Sequence, residues 1–360
     1  MRGRRVWGLT VLAAVNVVLL ATLVVGLELV FGSWLHPYVP PRSAIVGRTN
    51  TYSQNLYSPP SVVTYARDTY GLRSVRGPLE NVKFVTVGGS TTDQRFITEG
   101  ATWHDVASAL TGFQIANAGI DGMTSAGHVM AVQQWLHKIP KLRAFYYLHY
   151  IGINDAFLSR DLVRPDLPGN NSLLTQIRLR SVLFRGAVRG WEQVRNPKPV
   201  GHGPMALTRF ELPSVGRDAM AWTKSDPPVV DRDEIFDYVE TRYKPNLHRL
   251  IDLHLSNGEL TILASQPAHP TLIQRNEHEF LISAPRVFER WALALIMMNT
   301  ATEQVCRERR DACKFIDVAG KLEFEATDFY DFVHTRPSGA RKLGEFIAQE
   351  LMTMAIFGRG

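Results

Sequence analysis

Five short apolar runs, at residues 83–87, 113–116, 143–150, 259–264 and 314–318, are separated by stretches of helical period, and this alternation leaves few architectures open. Trp103, Val106 and Leu110 mark one helix face, and Val129, Val132 and Leu136 mark another. Residues 235–255 and 283–307 repeat with the same period. A last helix is expected from Pro337, a residue suited to the first turn, through Leu343, Phe346, Ile347 and Leu351. Strands alternating with helices build a parallel sheet covered on both faces, so the pattern predicts an α/β fold.

In an open parallel sheet the loops at the carboxyl ends of the strands share one rim. Four segments are expected there: Gly88-Gly89-Ser90-Thr91, Asn117-Ala118-Gly119-Ile120-Asp121-Gly122, Gly152-Ile153-Asn154-Asp155 and Asp331-Phe332-Val333-His334. Each is common alone; their order and placement carry the signal. Serine at its free pKa is a poor nucleophile and needs a base, which His334 can supply to Ser90. Asp331, three residues earlier, would share the side of a helical turn with His334 and hold its imidazole tautomer. Taken alone, that pair reads as a helix cap or surface pair. Donors for a developing oxyanion are the Asn154 side-chain amide and the backbone N–H groups of Gly122 and Ser90. Asp121 and Asp155 flank these blocks as loop-ordering residues.

With these residues in view, the chain resembles an SGNH hydrolase, of the GDSL-type esterase and lipase superfamily, over residues 81–354. The resemblance implies a flavodoxin-like three-layer α/β/α fold and ester hydrolysis without metal or cofactor. It also implies Ser90 as nucleophile, Asp331 and His334 as its partners, and Ser90, Gly122 and Asn154 as the oxyanion hole. The first block reads Gly-Gly-Ser where better-known members have an aspartate before the serine. In this it resembles a bacterial subgroup with Gly-Gly-Ser-Thr, many of whose members carry an N-terminal anchor. The resemblance leaves the substrate open.

The N-terminus predicts a membrane anchor. Arg2, Arg4 and Arg5 precede residues 6–27, which carry no formal charge. A helix over them would be about 33 Å long, enough for a hydrocarbon core of about 30 Å. A cleaved signal peptide would have a shorter apolar region and a small-residue cleavage site, so an uncleaved anchor is expected. The basic flank keeps the N-terminus cytoplasmic, which places the rest of the chain outside: a single-pass inner-membrane protein with a periplasmic catalytic domain. The plan is then anchor 1–32, irregular Pro-rich spacer and lead-in 33–79, and hydrolase domain 80–356 with an insertion or lid at about 157–231.

The net charge of +6 does not argue for nucleic acid. Setting aside Arg2, Arg4, Arg5 and Glu28 leaves 37 basic and 33 acidic side chains. Arg178, Arg180, Arg185, Arg189 and Arg195 alternate with Ile177, Leu183, Phe184, Val188 and Trp191, which reads as an amphipathic helix. Its arginines form a solvated face or meet anionic lipid or polymer. Cys306 and Cys313 would stand about 10.5 Å apart in one helix, beyond disulfide reach, so a bond requires the helix to end between them. A disulfide and two buried thiols both remain open. His104, His128, His137 and His149 show no zinc-helix spacing and read as surface or satisfied core residues.

Two classes of function compete. One is an extracytoplasmic serine esterase acting on acyl esters, including O-acetyl groups of surface carbohydrate, or an O-acetyltransferase using the same site. The other is a non-catalytic module that binds glycan or an assembly partner. The joint presence of Ser90, Asn154, Asp331 and His334 favours the enzyme.

Overall fold

A computed structural model describes residues 2–32, 34, 49–59, 61–158, 177, 180–184, 186, 187, 191, 232–275, 280–282, 284 and 286–357. Among the described residues nine strands follow in chain order: β1 (Thr49–Gln54), β2 (Ser61–Ala66), β3 (Val82–Gly88), β4 (Gln114–Asn117), β5 (Tyr146–Tyr150), β6 (Leu260–Ala264), β7 (Ile273–Arg275), β8 (Phe280–Ile282) and β9 (Cys313–Ile316). The central sheet has the order β4-β3-β5-β6-β9, and every pairing in it is parallel. Counting only its own strands, that order is 2-1-3-4-5, the flavodoxin-like arrangement, whose strand order reverses beside the first strand.

The alternation along the strands sorts the two faces. Val85, Val87, Tyr147 and Leu263 join the core beneath α4 (Ser125–Gln134), α6 (Lys244–Ser256) and α7 (Arg286–Glu308). Phe84, Tyr146, Leu148 and Ile262 meet α3 (Trp103–Thr111) and α9 (Pro337–Phe357) on the other face. Other helices among the described residues are α1 (Arg2–Phe31), the one-turn α2 (Ser90–Asp93), α5 (Arg232–Tyr238) and α8 (Val318–Lys321). Among the described residues one stretch is long and apolar enough to cross a membrane, Val11–Phe31, with mean hydropathy 2.4.

All five predicted sheet strands form, with ends moved by up to three residues. The expectation of an irregular lead-in is corrected in its second half. Residues 49–66 form an antiparallel hairpin, with Thr49 opposite Ala66. Val63 and Tyr65 alternate inward and are buried, as are Leu72 and Arg73, and Arg73 bridges to Asn117 beside β4. Pro59 lies in the turn between the strands and does not prevent them. This segment is therefore packed into the domain. The insertion at about 157–231 falls mostly outside the described residues, as do Arg178, Arg185, Val188, Arg189 and Arg195.

Helix α7 ends before β9 begins, so Cys306 and Cys313 come together with their Cα atoms 5.1 Å apart and form a disulfide. On the α4 and α6 face a row of buried imidazoles crosses the core. His128 Nδ1 lies 3.1 Å from His149 Nδ1, and His149 Nε2 lies 2.9 Å from His254 Nε2. Burial pushes His128 down to about 3 and lowers His149 and His254 as well, His254 against an opposing pull from Glu259. Burial thus disfavours a charge on each of these rings.

Candidate active site

Ser90 opens α2 immediately after β3, with Gly89 as the extended residue before the turn. Glycine at 89 leaves room for Asn154, since a Cβ there would displace the Asn154 amide nitrogen. The second block crosses over this turn. Ile120 N–H donates to the Gly88 carbonyl at 2.8 Å, the Asn117 amide donates to the Thr92 carbonyl at 2.8 Å, and Asn117 Oδ1 accepts from Gly119 N–H at 2.8 Å. Gly122 has φ +68°, a left-handed conformation that favours glycine. The next residue, Met123, offers its carbonyl to Asn154 Nδ2 at 2.9 Å. One amide hydrogen of Asn154 is thereby used, and an amide carries two.

The fourth block arrives from the far end of the chain. His334 Nε2 lies 2.6 Å from Ser90 Oγ, and His334 Nδ1 lies 2.5 Å from Asp331 Oδ2. The expected helical turn is absent. Phe329 and Thr335 form a bridge, Tyr330 N–H donates to the His334 carbonyl at 3.0 Å, and the pair sits on a tight bend. The reason lies in Asp331 itself: its Oδ1 accepts the backbone N–H groups of Val333 (2.9 Å) and His334 (2.7 Å), a local bonding pattern that competes with a helix. Burial alone would raise the Asp331 carboxyl. The hydrogen bond and charge of His334, together with the two backbone donors, outweigh it and hold the group below the ordinary aspartate value. Tyr330 stacks on the imidazole, the rings nearly parallel with centroids 5.5 Å apart.

A buried ionic cluster braces the turn from below. Asp93 Oδ1 accepts from Arg67 at 2.6 Å and from the Tyr65 hydroxyl at 2.9 Å, and Arg67 also reaches the Gly119 carbonyl. Burial would raise Asp93, but Arg67, Arg73 and Arg95 surround it and lower it instead. Arg95 in turn pairs with Asp121 at 2.6 Å, giving that residue its loop-ordering part.

Gln266 was not foreseen. It follows β6 on the same rim, and that position after a strand end was the available signal. Its Nε2 donates to Thr91 Oγ1 and to the Tyr150 carbonyl, both at 3.0 Å, and its Oε1 accepts from Ile153 N–H at 2.9 Å. One buried amide thus ties the residue after Ser90 to the residue before Asn154. Beyond it, Pro267, Ala268, Pro270 and Asn299 line a cavity of about 630 Å³. His269 N–H in the same loop donates to the Phe332 carbonyl at 2.9 Å. None of the five predicted site residues lines that cavity.

Asp155 caps α4. Its carboxylate accepts from Ser125 N–H at 2.8 Å and Ser125 Oγ at 2.5 Å, while Tyr238 donates to it at 3.3 Å. Burial nevertheless raises its pKa to about 6, against the lowering effect of those donors. A carboxyl whose folded value is raised stabilises fully below its unfolded value and loses that contribution as pH rises through the folded value. The loss therefore falls between about pH 4 and pH 6, and is on the order of 2–3 kcal/mol. Thermal melts from pH 4 to 7.5 should show it as the difference between the parent and Asp155→Asn. A constant difference across that range would refute the assignment.

No family model matches the sequence, and no curated protein matches it. Solved structures do resemble the fold. A lipolytic protein of the G-D-S-L family from Veillonella parvula aligns over 75% of this chain and 97% of its own, at 15% identity and TM-score 0.42. A GDSL-like lipase from Bacteroides thetaiotaomicron aligns over 76% and 89%, at 12% identity and TM-score 0.40. A variant of an acetyl-xylooligosaccharide esterase from Geobacillus Stearmophilus aligns over 77% and 94%, at 15% identity and TM-score 0.39. Likenesses at this level do not carry residue roles from one chain to another, so the roles rest on the geometry above.

Proposed function

We propose that this chain is a serine hydrolase of ester bonds, of SGNH type, in which Ser90 is the nucleophile and His334 its base. The observation that carries the reading is the continuous contact from Asp331 Oδ2 through both ring nitrogens of His334 to Ser90 Oγ, at 2.5 and 2.6 Å. A binding module has no physical need for that relay at the switch point of a parallel sheet.

In this reading Ser90 Oγ attacks the ester carbonyl carbon while His334 Nε2 takes its proton. Asp331 holds the Nδ1–H tautomer and stabilises the imidazolium. Charge develops on the carbonyl oxygen, which the Ser90 and Gly122 N–H groups and the free hydrogen of the Asn154 amide receive. His334 then returns the proton to the departing alkoxide, leaving an acyl-serine. Water attacks that ester with His334 again as base, releasing the acid and restoring Ser90.

The apolar α1 and its basic flank support a tether with the catalytic domain outside the cytoplasm. That location makes acyl esters of surface carbohydrate, O-acetyl groups among them, the substrate class we favour. Labelling of the detergent-solubilised chain with a fluorophosphonate, followed by peptide mapping, tests the reading. The adduct is expected on Ser90, with turnover of short-chain acyl esters. No adduct and no turnover across short and long acyl esters would overturn it.

A further inference from the structure

We propose that His137, His254 and Glu259 form a binding site for a divalent transition-metal cation, zinc being the best fit, at the edge of the sheet opposite Ser90. The proposal does not rest on the esterase reading. The three residues come from separate elements: His137 from a single turn after α4, His254 from the last turn of α6, and Glu259 from the residue before β6. Parallel strands put Glu259 at the amino-terminal edge of the sheet and Ser90 at the carboxyl rim.

Their donor atoms lie within 4.8 Å of one another. His254 Nδ1 is 2.7 Å and His137 Nε2 is 2.9 Å from the same oxygen, Glu259 Oε2. A tetrahedral zinc with bonds of about 2.0–2.1 Å sets its ligand atoms roughly 3.3 Å apart, so the two contacts to Glu259 must open by about half an ångström to admit the ion. Two imidazoles and one carboxylate are a donor set that zinc accepts, with water in the fourth position. Solvent can deliver that water, since the side chains of His137 and Glu259 are 15% and 13% exposed while that of His254 is fully buried. The site also sits at the carbonyl end of α6, where positive charge is favoured.

The surrounding groups suit a metal in a way that a plain hydrogen-bonded trio does not require. A ligating histidine needs an acceptor for the proton on its other nitrogen. For His137 that partner is the Asn257 side-chain amide, 2.9 Å from Nδ1, which accepts once it turns to present Oδ1. For His254 it is His149 Nε2, and behind that stands His128.

Proton bookkeeping then separates the two states. Without metal, His254 Nδ1–H and His137 Nε2–H donate to the Glu259 carboxylate. His254 Nε2 accepts from His149 Nε2–H, and His149 Nδ1 accepts from His128 Nδ1–H. With metal on His254 Nδ1 and His137 Nε2, each ring moves its proton to the opposite nitrogen: His137 to Nδ1, His254 to Nε2, His149 to Nδ1 and His128 to Nε2. No proton is gained or lost. The row simply reverses its direction, and the reversal reaches His128 in α4 through His149 in β5.

The test uses the full chain in detergent, stripped with chelator and titrated with zinc chloride or cobalt chloride. One equivalent of zinc is expected to bind and raise the melting midpoint, and cobalt should give the intense visible absorption of a four-coordinate site. In nitrogen-15 spectra of the histidines, zinc should move the His149 proton from Nε2 to Nδ1. His137→Ala removes the most exposed of the three ligands and should weaken zinc binding at least about tenfold, with the metal-free midpoint nearly unchanged. Glu259→Gln provides a second variant of similar shape with the same expected loss. Absence of stoichiometric uptake, or uptake that neither variant weakens, would overturn the site and leave Glu259 as a hydrogen-bond acceptor for two histidines.

Discussion

Ser90→Ala is expected to abolish fluorophosphonate labelling and to lower ester turnover by at least about a thousandfold, while the melting midpoint stays within a few degrees of the parent. The two halves have different causes. Activity depends on Ser90 Oγ, which lies 2.6 Å from His334 Nε2 and has no substitute among the neighbouring hydroxyls. Thr91 is committed to Gln266, and Thr92 Oγ1 is buried. Stability depends little on the same atom. Ser90 is only partly buried at the rim, and its removal leaves His334 Nε2 within reach of water rather than orphaned in the core. The turn itself is held by Asp93 and its arginines, by Asn117 and by Gln266, none of which is changed. Labelling, turnover and thermal melts on the same preparation measure both halves. Turnover within tenfold of the parent would remove Ser90 from the nucleophile role, and a large fall in midpoint would show that the serine is part of the scaffold.

How much of this was legible in the sequence differs by residue. The strands were readable because each is a short apolar run between helical patterns, and their loops then had to share a rim. Ser90 and Asn154 followed from that placement. Asp331 was legible as a residue but not as a geometry. Spacing of three suggested a helical turn, whereas the carboxylate captures two backbone N–H groups and bends the chain. The hairpin at residues 49–66 was hidden by its prolines, although the inward alternation of Val63 and Tyr65 was present. Gln266 could have been flagged by its place after β6, but nothing local says that its amide reaches Thr91, 175 positions away. The histidine row was illegible for the same reason. His128, His149 and His254 share no local period, and only the packing of α4 and α6 over β5 brings them into line. The cysteines sat between these cases: the requirement that the helix end between them was readable, but not whether the bond forms.

The sharpest expectation concerns Asp331 and His334 as a unit. His334→Ala should remove the base and reduce kcat/KM about as far as Ser90→Ala, because a serine without a base and a base without a serine are equally idle. Asp331→Ala should cost less, since the ring remains and can still adopt the productive tautomer part of the time. Asp331→Asn should be more damaging than its small size suggests. With Oδ1 still accepting from Val333 and His334, the new amide would direct its NH₂ at His334 Nδ1 and make that nitrogen an acceptor. The ring proton would then sit on Nε2, facing Ser90, where the imidazole can no longer take the serine proton. A loss of about 10⁴-fold in kcat has been the consequence of that wrong tautomer in the serine-protease triad, and a loss of that order is expected here. The double variant Asp331→Ala with His334→Ala should be little worse than His334→Ala alone, because the carboxylate acts only through the ring. Purified variants assayed on one short-chain ester provide the cycle. Losses that multiply, or an Asp331→Asn enzyme as active as Asp331→Ala, would show that the carboxylate does not set the tautomer of His334.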